Sequence, residues 1–280
     1  MIKYILAFIF LLNLHIFDFN DKFLFNTFYL KSTIIDFEIK NKKKELIVLD
    51  KIKKNLSGIT YSSYSNTLFA ITNSPRVIYE LSKETKILRE IPLNNFKDTE
   101  DITHIKDDLF AIIDERDETL YVVNINEDTK IINKKDSIKK YKFNIKRYKN
   151  FGIEGVTYDI KKDKFYLVNE KFPKKVITLE GLITNKEPKV DYNQKILKQN
   201  YYLSDFSAIY YDKEKNDLFI LSEESSLIGQ VNSESKFISF YNLKDNDLSS
   251  KMKSAEGFTM DNERNIYIVS EPNLLLSLKK

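Results

Sequence analysis

Short apolar segments separated by polar segments recur in the same order five times along most of this chain. Each unit begins with a short apolar segment, continues through a polar turn into a second one, and reaches a third after another polar loop. The second segments of the five units show the pattern most clearly: TLFAIT, LFAIID, FYLVNE, LFILSE and IYIVSE. β-branched and aromatic residues bounded by Asn, Asp, Ser and Lys are typical of β-strands.

The units align on one position that precedes the first segment of each unit. The aligned residues are Ser57, Glu100, Glu154, Ser207 and Glu256, at successive spacings of 43, 54, 53 and 49 residues. A fourth strand-like segment follows in every unit except the last. Four strands at this period are typical of a propeller blade, so the pattern predicts an all-β, five-bladed β-propeller. A β-sandwich is the alternative, and no window shows the sustained 3.6-residue spacing of a helical solenoid.

One strand-like segment has no unit of its own. Residues Glu45 to Ile52 align with the fourth strand of the first unit, whereas the fifth unit stops at Lys280 after its third strand. An open sheet edge invites pairing with other chains. We therefore expect this N-terminal strand to complete the last blade and close the ring.

The first 19 residues differ from the rest of the chain. Lys3 is followed by an apolar run from Tyr4 to Phe17 that only Asn13 and His15 interrupt. This pattern predicts a signal peptide or a signal-anchor, with a buried N-terminal helix as the alternative. Since no small-x-small cleavage site is evident, the pattern favours an anchor. Residues 20–43 then form a spacer, and residues 44–280 form the propeller domain.

Composition excludes several classes of function. The chain has no cysteine, so disulfides, thiolate metal sites, cysteine nucleophiles and a lipoprotein-type anchor are excluded. The net charge is +4, and no basic stripe is interleaved with aromatic residues, so nucleic acid is not expected as a partner.

Two sets of recurring positions are expected to meet at one end of the channel. In a propeller, the loop that enters the inner strand and the loop between the second and third strands open on the same face. The first set is the aligned set above, and the second set ends the second strands: Asn73, Glu115, Glu170, Glu223 and Glu271. Beside both sets lie Asp101, Asp114, Asn169 and Asp205.

Seven of the ten positions are glutamates, and they are the predicted metal ligands: Glu100, Glu154, Glu256, Glu115, Glu170, Glu223 and Glu271. Carboxylates held close together raise one another's pKa or require a cation. Clusters of oxygen ligands without sulfur favour hard cations, above all Ca²⁺. The alternative is that these carboxylates are solvated or paired with Arg76, Arg116 and Lys171.

These motifs together resemble the SdiA-regulated (YjiK-like) family over about residues 45–280. The motifs are LSGITYSSYSNTLFAITNSPRVIYEL, EDIT, GIEGVTYD, FSAIYYD and AEGFTMDNERNIYIVSEPN. The resemblance implies a five-bladed propeller on the extracytoplasmic side of a bacterial cell membrane, behind an N-terminal membrane segment. It also implies calcium in a shared site, for which Glu100, Glu154 and Glu256 are the best matches.

Two hypotheses about function follow. The first is a membrane-anchored or exported Ca²⁺-binding module that binds an unknown ligand or protein at the propeller rim. The second is a Ca²⁺-dependent hydrolase of a small ester, lactone or phosphoester, which needs a base to activate water. The only histidines are His15, in the export segment, and His104, in the inner strand of the second unit. This shortage favours the binding module, and no catalytic residue is assigned.

Overall fold

Each repeat folds into one antiparallel sheet in the computed structural model, which describes residues 42–145, 152–171, 173–184, 186–244 and 251–280. The five sheets form the five blades of a β-propeller, as predicted, and the sandwich alternative is wrong. The first strand of each blade contacts the first strands of both neighbouring blades, so these five strands surround a central channel.

The blades share one strand order, from the channel outwards. The strand β1 (Lys43–Val48) precedes the first blade, which consists of β2 (Leu56–Ser62), β3 (Thr67–Asn73), β4 (Arg76–Leu81) and β5 (Ile87–Asn94). A two-residue strand, β9 (Ile132–Asn133), lies parallel to β5 at its outer edge. The second blade consists of β6 (Thr99–Lys106), β7 (Leu109–Asp114), β8 (Thr119–Asn124) and β10 (Lys139–Lys142).

The remaining blades repeat this order. The third blade consists of β11 (Ile153–Asp159), β12 (Lys164–Asn169), β13 (Lys175–Glu180) and β14 (Lys189–Tyr192). The fourth consists of β15 (Ala208–Asp212), β16 (Asp217–Ser222), β17 (Leu227–Val231) and β18 (Phe237–Asn242). The fifth blade contributes β19 (Ala255–Met260), β20 (Ile266–Ser270) and β21 (Leu274–Lys279).

The fifth blade takes its outer strand from the other end of the chain. β1 pairs antiparallel with β21, from Lys43 opposite Lys279 to Val48 opposite Leu274. The predicted closure by an N-terminal strand is therefore confirmed, although the strand is Lys43–Val48 rather than Glu45 to Ile52. After β1 the chain turns inwards, because the buried side chains of Leu49 and Ile52 join the apolar core between the fifth and first blades.

Insertions account for the unequal spacing of the repeats. In the second blade, a long connection between β8 and β10 carries β9 and a 3₁₀ turn at Lys134–Asp136. In the third blade, a helix, α1 (Gln194–Gln199), lies between β14 and β15. The Asn193 side chain caps this helix, since its Oδ1 accepts a hydrogen bond from the Ile196 N–H at 3.0 Å. Neither insertion shows the apolar periodicity on which the repeat was recognised.

The core lies between adjacent blades. On β7, Phe110 and Ile112 pack towards the first blade, whereas Ala111 and Ile113 pack towards the third. Successive side chains of a strand point to opposite faces of the sheet, so both faces of β7 are buried. This double burial explains why the second segment of each repeat reads as a continuous apolar run.

Threonine hydroxyls join neighbouring inner strands. At three of the five blade junctions, a threonine Oγ1 accepts a hydrogen bond from a backbone N–H of the next blade at 3.0–3.2 Å. The acceptor and donor pairs are Thr60 with His104, Thr157 with Tyr211, and Thr259 with Tyr61. The recurring threonine of the GIT, GVT and GFT segments thus holds the ring together around the channel.

The predicted export segment, residues 1–19, and nearly all of the predicted spacer lie outside the described residues. Within the part of the chain that the structure describes, no helix combines the length and hydropathy needed to cross a membrane.

Candidate metal centre

The inner strands begin around a cavity of about 160 Å³ at one end of the channel. We call this end the acidic mouth; it is lined by Ser57, Glu100, Glu154, Glu170, Asp205, Ser207, Glu223, Glu256 and Glu271. Seven of these nine side chains are carboxylates and two are hydroxyls. None of the described residues that line the cavity is basic.

Both sets of recurring positions therefore meet at the acidic mouth, and six of the seven predicted glutamates line it. Glu115 is the exception. Its carboxylate lies beside those of Asp98 and Glu100, with one oxygen of each within 4.8 Å of the others. Asp205, which the sequence places only beside the aligned positions, is part of the cavity instead.

β-bulges turn the aligned side chains towards the mouth. In the third blade, Ile153 pairs with Asn169 and Gly155 with Val168, which leaves Glu154 as the extra residue of the inner strand. The same register shift occurs at Ser57 and at Glu256. A bulge re-aims a side chain that regular pleating would place elsewhere. The sequence shows the recurrence of this position but not the bulge.

Glycines after the bulges allow the inner strands to approach closely. A Cβ atom on Gly155 would lie 2.8 Å from the backbone nitrogen of Ile209, and one on Gly257 would lie 2.9 Å from that of Ile59. These neighbours are backbone atoms of the next blade, so they cannot move aside as a flexible side chain could. The glycines therefore keep the channel narrow where the glutamates meet.

The second blade has Asp101 at the position of these glycines. The Asp101 side chain is buried and accepts hydrogen bonds from the N–H groups of Val156 and Ile102, both at 2.8 Å. It occupies the space left by Gly58, where a Cβ atom would lie 2.3 Å from Asp101 Oδ1. Asp101 thus links the first three blades and does not line the acidic mouth.

The central carboxylates of the mouth have few bonded partners. Asn73 Nδ2 donates a hydrogen bond to Glu100 Oε1 at 3.3 Å. Within the described part of the chain, no residue donates a hydrogen bond to the side chain of Glu154 or Glu256, and none forms an ion pair with either.

The three cations considered as alternative partners bond to other groups. Arg76 donates two hydrogen bonds, of 2.9 and 2.8 Å, to the carbonyl oxygen of Lys97. Arg116 forms an ion pair with Asp98 at 2.8 Å, and Lys171 forms one with Glu224. These contacts leave the carboxylates that line the mouth without a direct ion pair to any of the three.

Burial and mutual repulsion favour protonation of the central glutamates. The pKa of Glu154 is raised well above its usual value, mainly by burial and further by Glu100, Glu115, Glu170 and Glu256. Burial also raises the pKa of Glu256, with further contributions from Glu223, Glu271, Asp205 and Glu100. Without a cation, this end of the channel therefore holds protons that a dissolved carboxylate would release.

Other members of the cluster titrate near neutral pH. Burial raises the pKa of Glu100 to about 8, although the hydrogen bond from Asn73 lowers it. Burial raises the pKa of Glu170 to about 7, although the nearby Lys171 ammonium lowers it. Burial likewise raises the pKa of Asp205 to about 6. A cation that bound here would displace these protons.

The donor set fits a hard divalent cation. The lining supplies only oxygen ligands, from seven carboxylates and two hydroxyls. Ca²⁺ takes six to eight oxygen ligands in adaptable geometry, whereas softer metals prefer imidazole or thiolate. Two half-buried carboxylates without a bonded partner among the described residues, Glu154 and Glu256, are groups that a cation would stabilise.

The opposite end of the channel, which we call the far mouth, has different chemistry. It opens on a larger cavity of about 400 Å³, lined in part by Tyr64, His104, Tyr158, Ile160, Tyr210 and Arg264. His104 Nε2 is 2.9 Å from the carbonyl oxygen of Asp107, and burial lowers the pKa of its imidazole. The one histidine of the propeller therefore lies away from the acidic mouth.

Comparisons with known proteins place these features in a family. A model of the SdiA-regulated family matches residues 33–279. Among solved structures, the virginiamycin B lyase of Staphylococcus aureus aligns over 86% of this chain and 100% of its own, with 14% identity and a TM-score of 0.50. A luciferin-regenerating enzyme aligns over 85% of this chain and 80% of its own, with 10% identity and a TM-score of 0.50. At these identities the likeness to both enzymes shows the fold alone.

Proposed function

The chain belongs to the SdiA-regulated family, and from this premise we propose that it is a Ca²⁺-binding β-propeller that recognises a ligand or partner at its acidic mouth. We further propose that residues 1–19 export the propeller across a bacterial cell membrane or anchor it there, with the propeller on the extracytoplasmic side. The recognised molecule is a small ligand or a protein, and not a nucleic acid.

The proposal rests on the position and surroundings of the Glu154 and Glu256 carboxylates. Both are held by bulges in the inner ring, and both are surrounded by other carboxylates. A half-buried carboxylate that has no partner and is repelled by its neighbours is costly, so proteins retain one mainly where a cation or a proton completes the site. The absence of basic residues from the described lining favours a cation supplied from solution.

Glu154 and Glu256 are the residues that we assign to the ion first, followed by Glu100. The remaining proposed ligands lie further round the mouth: Glu170, Asp205, Glu223 and Glu271. Glu115, although predicted as a ligand, would act beside the cavity through its contact with Glu100 and Asp98. A bound Ca²⁺ would neutralise this cluster and offer open coordination positions to an oxygen atom of the recognised molecule.

The second candidate, a Ca²⁺-dependent hydrolase, rests on one specific observation. Glu170 lines the mouth with a pKa raised to about 7, which suits a group that exchanges protons near neutral pH. His104, the more usual type of base, lies at the far mouth and does not line the cavity. The binding module therefore remains the proposed function, and hydrolysis is its alternative.

Calorimetric titration of the purified full-length chain with Ca²⁺ and Mg²⁺ tests the metal site. We expect the wild-type protein to bind Ca²⁺ and to release protons, and Glu154→Gln to lose at least about tenfold in affinity, the scale on which altered sites change metal binding. Glu90→Gln is the matched control, because Glu90 is exposed on β5. An absence of Ca²⁺ binding at millimolar ion would overturn the metal site. Ca²⁺-dependent turnover of esters, lactones or phosphoesters by the wild type would favour the hydrolase.

A further inference from the structure

The direction of β1 fixes the face from which the N-terminal segment leaves the propeller. β1 runs from Lys43, opposite Lys279, to Val48, opposite Leu274. Leu274 follows Glu271 of the acidic mouth, so Lys43 lies at the other face. The Lys42 ammonium donates a hydrogen bond to the carbonyl oxygen of Arg264 at 2.7 Å, and Arg264 lines the far mouth. Any membrane segment within residues 1–41 therefore connects to the face of the propeller that surrounds the far mouth, which we call the far face.

The far face also exposes two large apolar side chains beside its cavity. Tyr64, in the turn between β2 and β3, is 64% exposed, and Ile160, in the turn between β11 and β12, is 50% exposed. Both line the far mouth. Because turns between strands are normally polar, two exposed apolar residues around one opening suggest a contact surface.

The outer strands carry further apolar residues at the same edge. In three blades, the second residue of the outer strand is a large exposed aliphatic: Leu88, Val190 and Ile238. Each of these strands starts at the far face. The edge near the acidic mouth exposes one aliphatic side chain of this kind on an outer strand, Val48, which is 55% exposed. Lysine ammonium groups lie over the exposed rings of Tyr192 and Tyr201 at this edge, with Nζ-to-centroid distances of 4.8 and 5.2 Å.

The predicted spacer does not determine which face of the propeller contacts the membrane. Residues 20–41 could span up to about 70 Å if fully extended, which is enough for either face to reach the membrane. The orientation therefore depends on which face contacts lipid more favourably. Tyrosine favours the membrane–water interface, and aliphatic side chains favour the acyl region beneath it. A cluster of seven carboxylates gains nothing from leaving water.

We infer that the propeller rests on the membrane by its far face, with Tyr64 and Ile160 in contact with a lipid surface and the acidic mouth turned towards the aqueous side. This inference rests on the membrane anchor of the proposed function. In this orientation the candidate calcium site is accessible to soluble ions and partners, and the far cavity is covered by the bilayer.

The absence of cysteine from the chain allows a direct test with single reporters. Lys161→Cys places a fluorophore beside Ile160 on the far face, and Lys51→Cys places one on the turn that follows β1 near the acidic mouth. Both lysines are exposed, so the two variants are matched. Each full-length variant is reconstituted into phosphatidylcholine vesicles that contain a lipid with a nitroxide near its headgroup, and fluorescence quenching is measured.

We expect severalfold stronger quenching at position 161 than at position 51. In the background of Tyr64→Ser with Ile160→Ser, the quenching at 161 should fall towards that at 51, because the anchor remains while the lipid contact is lost. Equal quenching at both positions, stronger quenching at 51, or no effect of the double substitution would overturn the inference.

Flotation of the same vesicles separates this inference from the anchor on which it rests. A protein that floats with the vesicles and yet shows equal quenching contradicts only the proposed orientation. A full-length chain that fails to float contradicts the anchor, and the orientation with it. Calcium binding at the acidic mouth is unaffected by either result and is judged by its own titration.

Discussion

The acidic residues at the two ends of the channel have different surroundings. At the far end, Asp261 accepts hydrogen bonds from Asn265 at 2.8 and 2.9 Å and from Tyr267 at 3.2 Å. Asp212 forms an ion pair with Arg264 at 2.9 Å. At the acidic mouth, Glu154 and its neighbours face mainly one another. The comparison separates acids that stabilise turns from acids that we assign to a cation.

The difference arises from where each acid lies in the repeat. The far-end aspartates sit at the ends of inner strands, where backbone N–H groups of the following turn are free to donate to them. Asp212, for example, accepts from the N–H of Glu214 at 3.0 Å. Glu154 and Glu256, by contrast, sit in bulges of the inner strands, which direct their side chains into the channel and away from such donors. Asp212 and Asp261 thus have a structural role, whereas Glu154 and Glu256 have a proposed binding role.

Arg264→Met at the far end should give the largest effect. It would leave Asp212, whose side chain is 3% exposed, without its ion-pair partner. Removal of one member of a buried pair typically costs about 3–5 kcal/mol, so we expect the free energy of unfolding to fall by about 3 kcal/mol in urea titrations. Arg116→Met is the control, because the Arg116 side chain is 61% exposed and its pair with Asp98 should contribute less than about 1 kcal/mol. Equal losses in both variants would contradict a structural role for the far-end pair.

Glu154→Gln at the acidic mouth should have an effect whose sign depends on calcium. In EGTA, removal of a repelled, half-buried carboxylate should raise the free energy of unfolding by about 1 kcal/mol, the scale of one unsatisfied polar group. In saturating Ca²⁺, the wild type should be the more stable protein, because a ligand that binds the folded state at about 100 times its Kd contributes about 2.7 kcal/mol. Thermal melts in both buffers measure this reversal. A variant that is less stable than the wild type in EGTA would show that Glu154 has a structural partner.

Stability should also depend on pH differently with and without calcium. In the folded protein the pKa of Glu100 is raised to about 8 and that of Glu170 to about 7, above the unfolded value near 4.3. The folded state therefore binds these protons more tightly, and their contribution to stability is present at low pH and lost as pH rises from about 4.5 to 8. We expect the Tm in EGTA to fall over this range and the Tm increase caused by Ca²⁺ to grow. An increase caused by Ca²⁺ that stays constant from pH 5.5 to 8 would contradict this coupling.

Lys171→Gln should give the smallest effect. The Lys171 ammonium pairs with Glu224 and lowers the pKa of Glu170 across the edge of the mouth. Its removal should raise Ca²⁺ affinity by about twofold at low ionic strength and by less at 0.15 M, because salt screens partly exposed charges. Calorimetry of this variant and of Lys51→Gln, which should match the wild type, measures the difference. A loss of affinity in Lys171→Gln would mean that Lys171 supports the site.

The sequence predicts the ring better than it predicts the mouth. The repeat of apolar segments specifies the five blades and the closing strand, because each blade buries both faces of its second strand, as Phe110 and Ala111 illustrate. The aligned positions of Glu154 and Glu256 in the repeats indicate that their side chains point the same way. They do not reveal the bulges that cause this orientation. Asp205 enters the cavity from the connection that follows α1, and no repeat position marks that connection.

Partners of the charged residues are even harder to predict from the sequence. Lys171 follows Glu170 directly in the chain, yet its ion pair is with Glu224 of the next blade. Glu115 occupies an aligned position but lies beside Asp98 and Glu100, outside the cavity. Such contacts depend on side chains that meet across blades, and the spacing of residues along one chain does not encode them.

A crystal structure of the protein grown with calcium, with anomalous scattering recorded at the acidic mouth, is the decisive experiment for the proposed calcium site. We expect one Ca²⁺ ion with oxygen ligands at about 2.3–2.6 Å, six or more in number, that include carboxylates of Glu154 and Glu256. An acidic mouth that holds only water at millimolar calcium, with Glu154 and Glu256 turned apart, would contradict it.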